Sequence, residues 1–176
     1  MNRIFLIGYM GAGKTTLGKA LAEHLSYEFI DLDWYIEEKI GQSIPSFFSQ
    51  QGEKSFREIE HTSLIELLTK DSLVIATGGG VPCFYNNMDL MLTAGSVVFL
   101  EASQEVLFQR LKDTLHQRPV LKSKTETELR EFIASSLKNR MKYYNRATYK
   151  INTDRLDSEE EIENTVANLL KMLTVS

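Results

Sequence analysis

Gly8, Gly11, Gly13, Lys14 and Thr15 occur in the run Gly8-Tyr9-Met10-Gly11-Ala12-Gly13-Lys14-Thr15, which follows the apolar segment Ile4-Phe5-Leu6-Ile7 and leads into a helical pattern from Thr16 to Leu25. The run matches G-x-x-x-x-G-K-[ST], a phosphate-cradling loop. Glycines at these spacings let the backbone curl so that successive N–H groups converge on an anion. The helix behind them aims the positive end of its dipole at the same point. The Lys14 ammonium is then within reach of the β/γ-phosphates of a nucleoside triphosphate, and the Thr15 hydroxyl is placed to ligate Mg2+. Gly11, Ala12, Gly13, Lys14, Thr15 and Thr16 are therefore the expected nucleotide-binding residues.

A second group of polar residues follows the strands. If the second strand ends at Asp31, the carboxylates of Asp31 and Asp33 emerge on one side of the sheet edge that carries the loop. One suits a metal, directly or through water, and the other suits an acceptor hydroxyl that must be oriented or deprotonated. Asp33 is also suited to cap a helix beginning at Trp34. No Asp ends the third strand, so the metal falls to Thr15 and Asp31. Thr77-Gly78-Gly79-Gly80 leaves that third strand with bare amides against which a ligand can lie. Arg140 sits at helical spacing from Leu129, Ile133, Leu137 and Tyr144, on the apolar stripe of a helix over Glu126–Tyr144. An inward guanidinium requires an anion, either a protein carboxylate or the carboxylate or phosphate of a ligand. Arg57 is the second such candidate, with Glu60 one turn away as a structural partner. Arg118-Pro119 lies within Lys112 to Thr125, a weakly periodic stretch read as a movable connection that can carry a cation over the phosphates. His24, His61 and His116 show no metal spacing with one another or with Cys83, and no role is assigned to them.

The elements needed to position these groups are short apolar runs at Arg3–Ile7, Glu28–Asp31, Leu73–Thr77, Ser96–Leu100 and Tyr149–Asn152, separated by helical patterns. Several runs are apolar throughout, as strands buried on both faces are, which predicts a parallel sheet covered by helices with ligands at the strands' carboxyl ends. Helices are expected over Lys14–Leu25, Glu126–Tyr144 and Ser158–Leu173, and Pro45, two residues after Ser43, opens a further short one. The 176 residues, 43% of them apolar, suit one core and a single domain over residues 1–176. A net charge of −4 offers no global basic field for nucleic acid. The lone Cys83 excludes an intrachain disulfide, no apolar run approaches a membrane span, and no leader-like segment precedes the first strand. A cytoplasmic protein with neither a nucleic-acid nor a membrane partner is expected.

With these residues set out, the chain resembles the shikimate kinases over nearly its full length. The resemblance is carried by Gly8-Tyr9-Met10-Gly11-Ala12-Gly13-Lys14-Thr15-Thr16, Asp31-Leu32-Asp33, Phe56-Arg57, Gly78-Gly79-Gly80, Arg118-Pro119, and Arg140 followed by Tyr144. It implies an α/β fold of the P-loop, nucleoside-monophosphate-kinase-like type, with a five-stranded parallel sheet flanked by helices and a mobile lid at about residues 112–125. It implies that ATP, with Mg2+, phosphorylates shikimate to shikimate 3-phosphate on the route to chorismate and the aromatic amino acids, in a monomer. Asp33, Arg57, Gly79 and Arg140, with the flanking Gly78 and Gly80, would bind shikimate, in a segment of about residues 33–61 and the glycine turn. Lys14 and Arg118 would stabilise the γ-phosphoryl, Asp33 would act on the hydroxyl, Thr15 and Asp31 would position Mg2+, and Arg110 and Arg155 would lie near adenine. The chain departs from the family pattern at Asn152 and Ser158. A gluconate kinase or nucleoside monophosphate kinase of the same architecture is the nearest rival, since gluconate also pairs a carboxylate with hydroxyls. A GTP-driven switch lacks support, because the chain has neither an Asp-x-x-Gly sensor loop nor an Asn-Lys-x-Asp guanine reader.

Overall fold

A computed structural model describes residues 3–112 and 124–174. Five strands, β1 (Arg3–Ile7), β2 (Glu28–Asp31), β3 (Leu73–Ala76), β4 (Ser96–Glu101) and β5 (Tyr149–Asn152), form one sheet in the order β2-β3-β1-β4-β5. All four pairings are parallel, with Phe5 opposite both Ile75 and Val97. The apolar-throughout reading holds best at the centre. Every residue of β3 is buried, as are all of β1 but Arg3 and the four central residues of β4, whereas the edge strands β2 and β5 are only partly buried. Because β1 is followed by β2 on one side of it and β4 lies on the other, the strand order reverses at β1. The glycine loop therefore leaves the sheet at its switch point, where a crevice opens.

Among the described residues, seven α-helices surround the sheet: α1 (Lys14–Leu25), α2 (Leu32–Ile40), α3 (Ile44–Leu67), α4 (Asn87–Ala94), α5 (Gln104–Lys112), α6 (Glu126–Tyr144) and α7 (Glu159–Thr174). α1 and α6 have the predicted limits. α6 opens with a reciprocal cap in which Thr125 and Glu128 satisfy each other's backbone N–H, and α7 starts behind Ser158, whose hydroxyl accepts from the Glu161 N–H at 3.3 Å. The short helix expected at Pro45 is present as the first part of α3, and Gly52, whose φ of 77° and ψ of 174° are not helical, puts a sharp break between it and the second segment, which carries Arg57. α2 begins at Leu32 rather than Trp34, and its cap is Asp31, which accepts the Asp33 N–H at 3.1 Å. Asp33 is thus in the first turn, its side chain released from capping. The loop cation Arg118 and most of the predicted lid, residues 113–123, lie outside the described residues. Among those residues, no helix is long and apolar enough to cross a membrane.

Helix α1 carries the phosphate loop, so its seat on the sheet fixes the loop's height. Leu17, Gly18, Leu21 and Ala22 form the buried face. A Cβ at Gly18 would stand 2.5 Å from Phe29 Cε2 and 3.0 Å from Leu6 Cδ1, so only glycine permits this approach. Replacing Gly18 by Val should therefore destabilise the fold by about 1–3 kcal/mol, the range for overpacking a filled interior. Urea unfolding reads this directly, and a midpoint equal to that of the parent chain would show that α1 has room to shift.

Candidate active site

The phosphate loop is built by its own backbone. Ala12 N–H donates to the Tyr9 carbonyl at 3.1 Å, and Gly13, at φ 92°, turns the chain into α1 with Leu156 packed where a side chain would be. No side chain caps the N-terminus of α1 and no acid occupies its first turn, so its amides remain available to an anion. The Lys14 ammonium folds over the loop and donates to the Gly8 and Tyr9 carbonyls at 2.9 and 2.8 Å. Thr15 Oγ1 donates to Asp31 Oδ2 at 2.8 Å. One carboxylate thereby ties the start of α1 to the start of α2, and Thr15 and Asp31 stand side by side as oxygen donors.

Across the crevice, each residue of the glycine turn faces a different polar side chain. A Cβ on Gly78 would lie 2.9 Å from Asp33 Oδ1 and 3.2 Å from Glu60 Oε1. On Gly79 it would lie 2.9 Å from Arg140 Nη1, and on Gly80 2.8 Å from Arg57 Nη1. Four polar heads thus converge on the turn, where a side chain would meet them. Its position is fixed from behind: Tyr144 donates its hydroxyl to the Gly79 carbonyl at 2.7 Å, and Asn87, fully buried, donates Nδ2 to the Val81 carbonyl at 2.9 Å. His61, which spacing left without a role, completes this bracket. Since the Asn87 amide turns its nitrogen to Val81, its oxygen faces His61 Nδ1 at 2.6 Å, and Nδ1 is assigned the proton.

The two arginines differ in one respect. Arg57 is held by Glu60 at 2.8 Å and by Glu53 at 3.2 Å and lies over the Phe84 ring at 4.1 Å, so the expected Arg57–Glu60 partnership is present. Those contacts use three of the five guanidinium N–H groups and leave two for a ligand. Arg140 lies beside the Tyr144 hydroxyl and 5.3 Å from the centroid of the Tyr9 ring, and among the described residues no carboxylate forms an ion pair with it. Glu60 is almost fully buried. Burial pushes its carboxyl up from 4.5 to about 7 against the opposing pull of Arg57, with a further upward push from the Asp33 charge. Sequence reasoning assigned Glu60 only to Arg57, because nothing in helical spacing reveals that Asp33 arrives from another element.

These walls enclose one continuous crevice of about 1110 Å3, lined at one end by Lys14, Thr15 and Asp31 and at the other by Asp33, Arg57 and Arg140. Trp34, half exposed, forms part of its side and carries Lys19 at 5.1 Å from its ring. At the nucleotide end Arg110 donates to the carbonyls of Gly11, Thr153 and Asp154 at 3.2, 3.0 and 3.3 Å, tying the loop to the segment after β5. Arg155 is exposed, and its buried neighbour Leu156 lines the crevice. The crevice thus offers an anion cradle and an oxygen pair at one end, and two guanidinium groups, a carboxylate and bare amides at the other.

The sequence and the fold have known relatives. A family model for shikimate kinase matches residues 10–172. The shikimate kinase of Bacteroides fragilis is 49% identical over 175 residues, covering 99% of this chain and 98% of that protein. That of Bacteroides thetaiotaomicron is 48% identical over 98% of this chain and 99% of its own. The crystal structure of the Bacteroides thetaiotaomicron shikimate kinase superposes with a TM-score of 0.95, covering 98% of both chains at 48% identity. The Acinetobacter baumannii shikimate kinase in complex with shikimate gives 0.87 at 34% identity, covering all of this chain and 95% of that one. A family model over residues 10–172, identity of 49% over nearly the whole chain and a TM-score of 0.95 have one reading: the chain belongs to the shikimate kinase family.

Proposed function

We propose the following division of labour for the phosphorylation of shikimate by ATP, the reaction of the family to which the chain belongs. Arg140 and Arg57 grip the shikimate carboxylate, Asp33 takes its hydroxyl, and the phosphate loop with Lys14 holds the triphosphate. The observation that carries this reading is Arg140: a half-buried guanidinium, on the crevice wall, without an ion pair among the described residues. Such a group favours a ligand anion, since desolvating it alone is costly.

Gly79 supports the same reading, because its missing side chain keeps the space in front of Arg140 open. With the carboxylate held at one end of the ring, a hydroxyl at the other end faces Asp33, whose carboxylate is freed from helix capping by Asp31. The hydroxyl oxygen forms a bond to the γ-phosphorus as the bond to the β–γ bridging oxygen breaks. The hydroxyl proton passes to Asp33, and ADP leaves carrying the electron pair of the broken bond. Lys14 must leave the Gly8 and Tyr9 carbonyls to meet the phosphates, an exchange favoured by the stronger charge of phosphate oxygen. The rest of the rate enhancement is alignment.

Thr15 and Asp31 fit Mg2+: both offer oxygen, they stand 2.8 Å apart, and Mg2+ needs few protein ligands beyond phosphate oxygens and water. When bound there, Mg2+ would neutralise charge on the β- and γ-phosphates. Arg118 is proposed as a further cation over the transferring group, and Arg110 and Arg155 as neighbours of adenine, with Arg110 acting through its hold on the loop. A single domain over residues 1–176 accommodates all of these roles.

Three outcomes are expected. Lys14→Ala should lower turnover by about 10²-fold or more, the scale for removing a preorganised charge stabiliser; near-normal turnover would remove Lys14 from the reacting centre. Arg140→Ala should raise the shikimate KM by at least about 30-fold, equivalent to roughly 2 kcal/mol, with a smaller effect on kcat. A coupled assay with shikimate and gluconate in parallel checks both values, and an equal response to gluconate would contradict the proposed geometry. The third concerns pH. Protonating Glu60 removes a negative charge beside the grip while leaving an oxygen to accept from Arg57. With Glu60 raised to about 7, shikimate should bind several-fold tighter as pH falls from 8 to 6. Calorimetry on Glu60→Gln should show that slope abolished; identical slopes in both proteins would locate the proton elsewhere.

A further inference from the structure

We propose that Tyr9 is a positioning residue that carries nucleotide occupancy from the phosphate loop to the acid-gripping Arg140, through its ring beside the guanidinium. The proposal rests on the reading of Arg140 given above.

Tyr9 stands behind the crevice wall, with its main chain in the phosphate loop and its ring beside Arg140. Its carbonyl accepts the Lys14 ammonium at 2.8 Å and the Ala12 N–H at 3.1 Å, so its main chain is part of the cradle. Its side chain is buried, and the Arg140 Cζ lies 5.3 Å from its ring centroid, a cation–π contact within a largely desolvated wall. The Gly8 carbonyl, which receives the same ammonium at 2.9 Å, also borders the glycine turn: a Cβ on Gly79 would stand 3.3 Å from that oxygen and 2.9 Å from Arg140 Nη1. One of the two carbonyls that hold Lys14, that of Gly8, therefore borders the glycine turn, and the residue that bears the other, Tyr9, places its ring beside Arg140.

A polyphosphate competes with those carbonyls for the ammonium and, being charged, wins. The Tyr9 peptide then loses its cationic donor, and the ring attached to the same Cα is repositioned under Arg140. Space for this exists. Tyr9 also lines a separate cavity of about 620 Å3 with Phe99, Leu107, Ala134, Leu137 and Met141, so the ring can shift without overpacking. The Phe99 and Tyr144 rings pack in a tilted pair with centroids 5.1 Å apart, which backs the same wall and keeps the Gly79 anchor in place while Tyr9 moves. By reciprocity, shikimate strengthens nucleotide binding by the same factor.

The test is calorimetric titration of shikimate into the full chain with and without saturating ADP and Mg2+, with the ratio of the two Kd values as the readout. Wild type should show a ratio of about 3 to 10, the span of one partly buried cation–π contact. Tyr9→Phe, which keeps the ring, should preserve it. Tyr9→Leu should bring it to about 1, and Ala134→Leu, which narrows the cavity behind the ring, should reduce it without touching either ligand. A ratio of 1 in wild type overturns the proposal, as does a wild-type ratio in Tyr9→Leu or, should that variant not fold, in Ala134→Leu. Loss of shikimate affinity in Arg140→Ala with the Tyr9→Leu ratio unchanged rejects only this inference, whereas unchanged affinity in Arg140→Ala rejects the assignment of the grip itself.

Discussion

A kinase for an anionic acceptor must bring two anions together in one crevice, and this chain does so while carrying a net charge of −4. The positive potential therefore has to be local. It comes from backbone amides at the start of α1, from Lys14, and above all from Arg140, a guanidinium kept on the crevice wall without an ion pair among the described residues. The surrounding design follows from that constraint. Of the acids on the crevice wall, Asp31 caps α2, Glu53 and Glu60 hold Arg57, and burial weakens the charge of Glu60. An anion that enters meets guanidinium N–H groups not already committed to protein carboxylates.

The sheet sets the scale on which this works. The order β2-β3-β1-β4-β5 brings the ends of β1, β2 and β3 together, so that the phosphate loop, Asp31 and the glycine turn share one edge. Parallel registers hold those three exits level, and α1 seats closely on the sheet because Gly18 has no side chain. α6 then delivers Arg140 and Tyr144, one turn apart, to the same turn. Rigidity is concentrated at this edge through Tyr144, Asn87 and Thr77, each fixing a main-chain group beside the ligand positions or the strands beneath them.

Much of this is legible in the sequence, for reasons that differ by residue. The loop announces itself because its chemistry needs consecutive residues, and Arg140 because a charge on an apolar helical stripe contradicts its surroundings. The limits of α1 and α6 coincide with the predicted ones because α1 starts where the phosphate loop ends and α6 opens on the reciprocal cap of Thr125 and Glu128. The cap of α2 falls two residues before the expected one: Asp31 and Asp33 are both good capping types, and Asp31, which also accepts from Thr15, takes the role. Pro45 opens the first part of α3 as expected, and Gly52 separates that part from the segment that carries Arg57. The bracket of His61, Asn87 and Val81, like the crowding of Asp33 on Glu60, joins residues far apart in the chain and has no local signature. Arg155 points to the same limit: its neighbour Leu156, an unremarkable apolar residue, is the one that fills the space behind Gly13.

The central claim is that the acceptor carboxylate and Arg140 form a single interaction, and a thermodynamic cycle tests it most directly. Binding of shikimate and of its methyl ester would be measured on wild type and on Arg140→Ala. The account predicts that esterification weakens binding to wild type by ~10²-fold and changes binding to the variant little, so that the two losses overlap. Losses that simply add would show that Arg140 and the carboxylate do not meet.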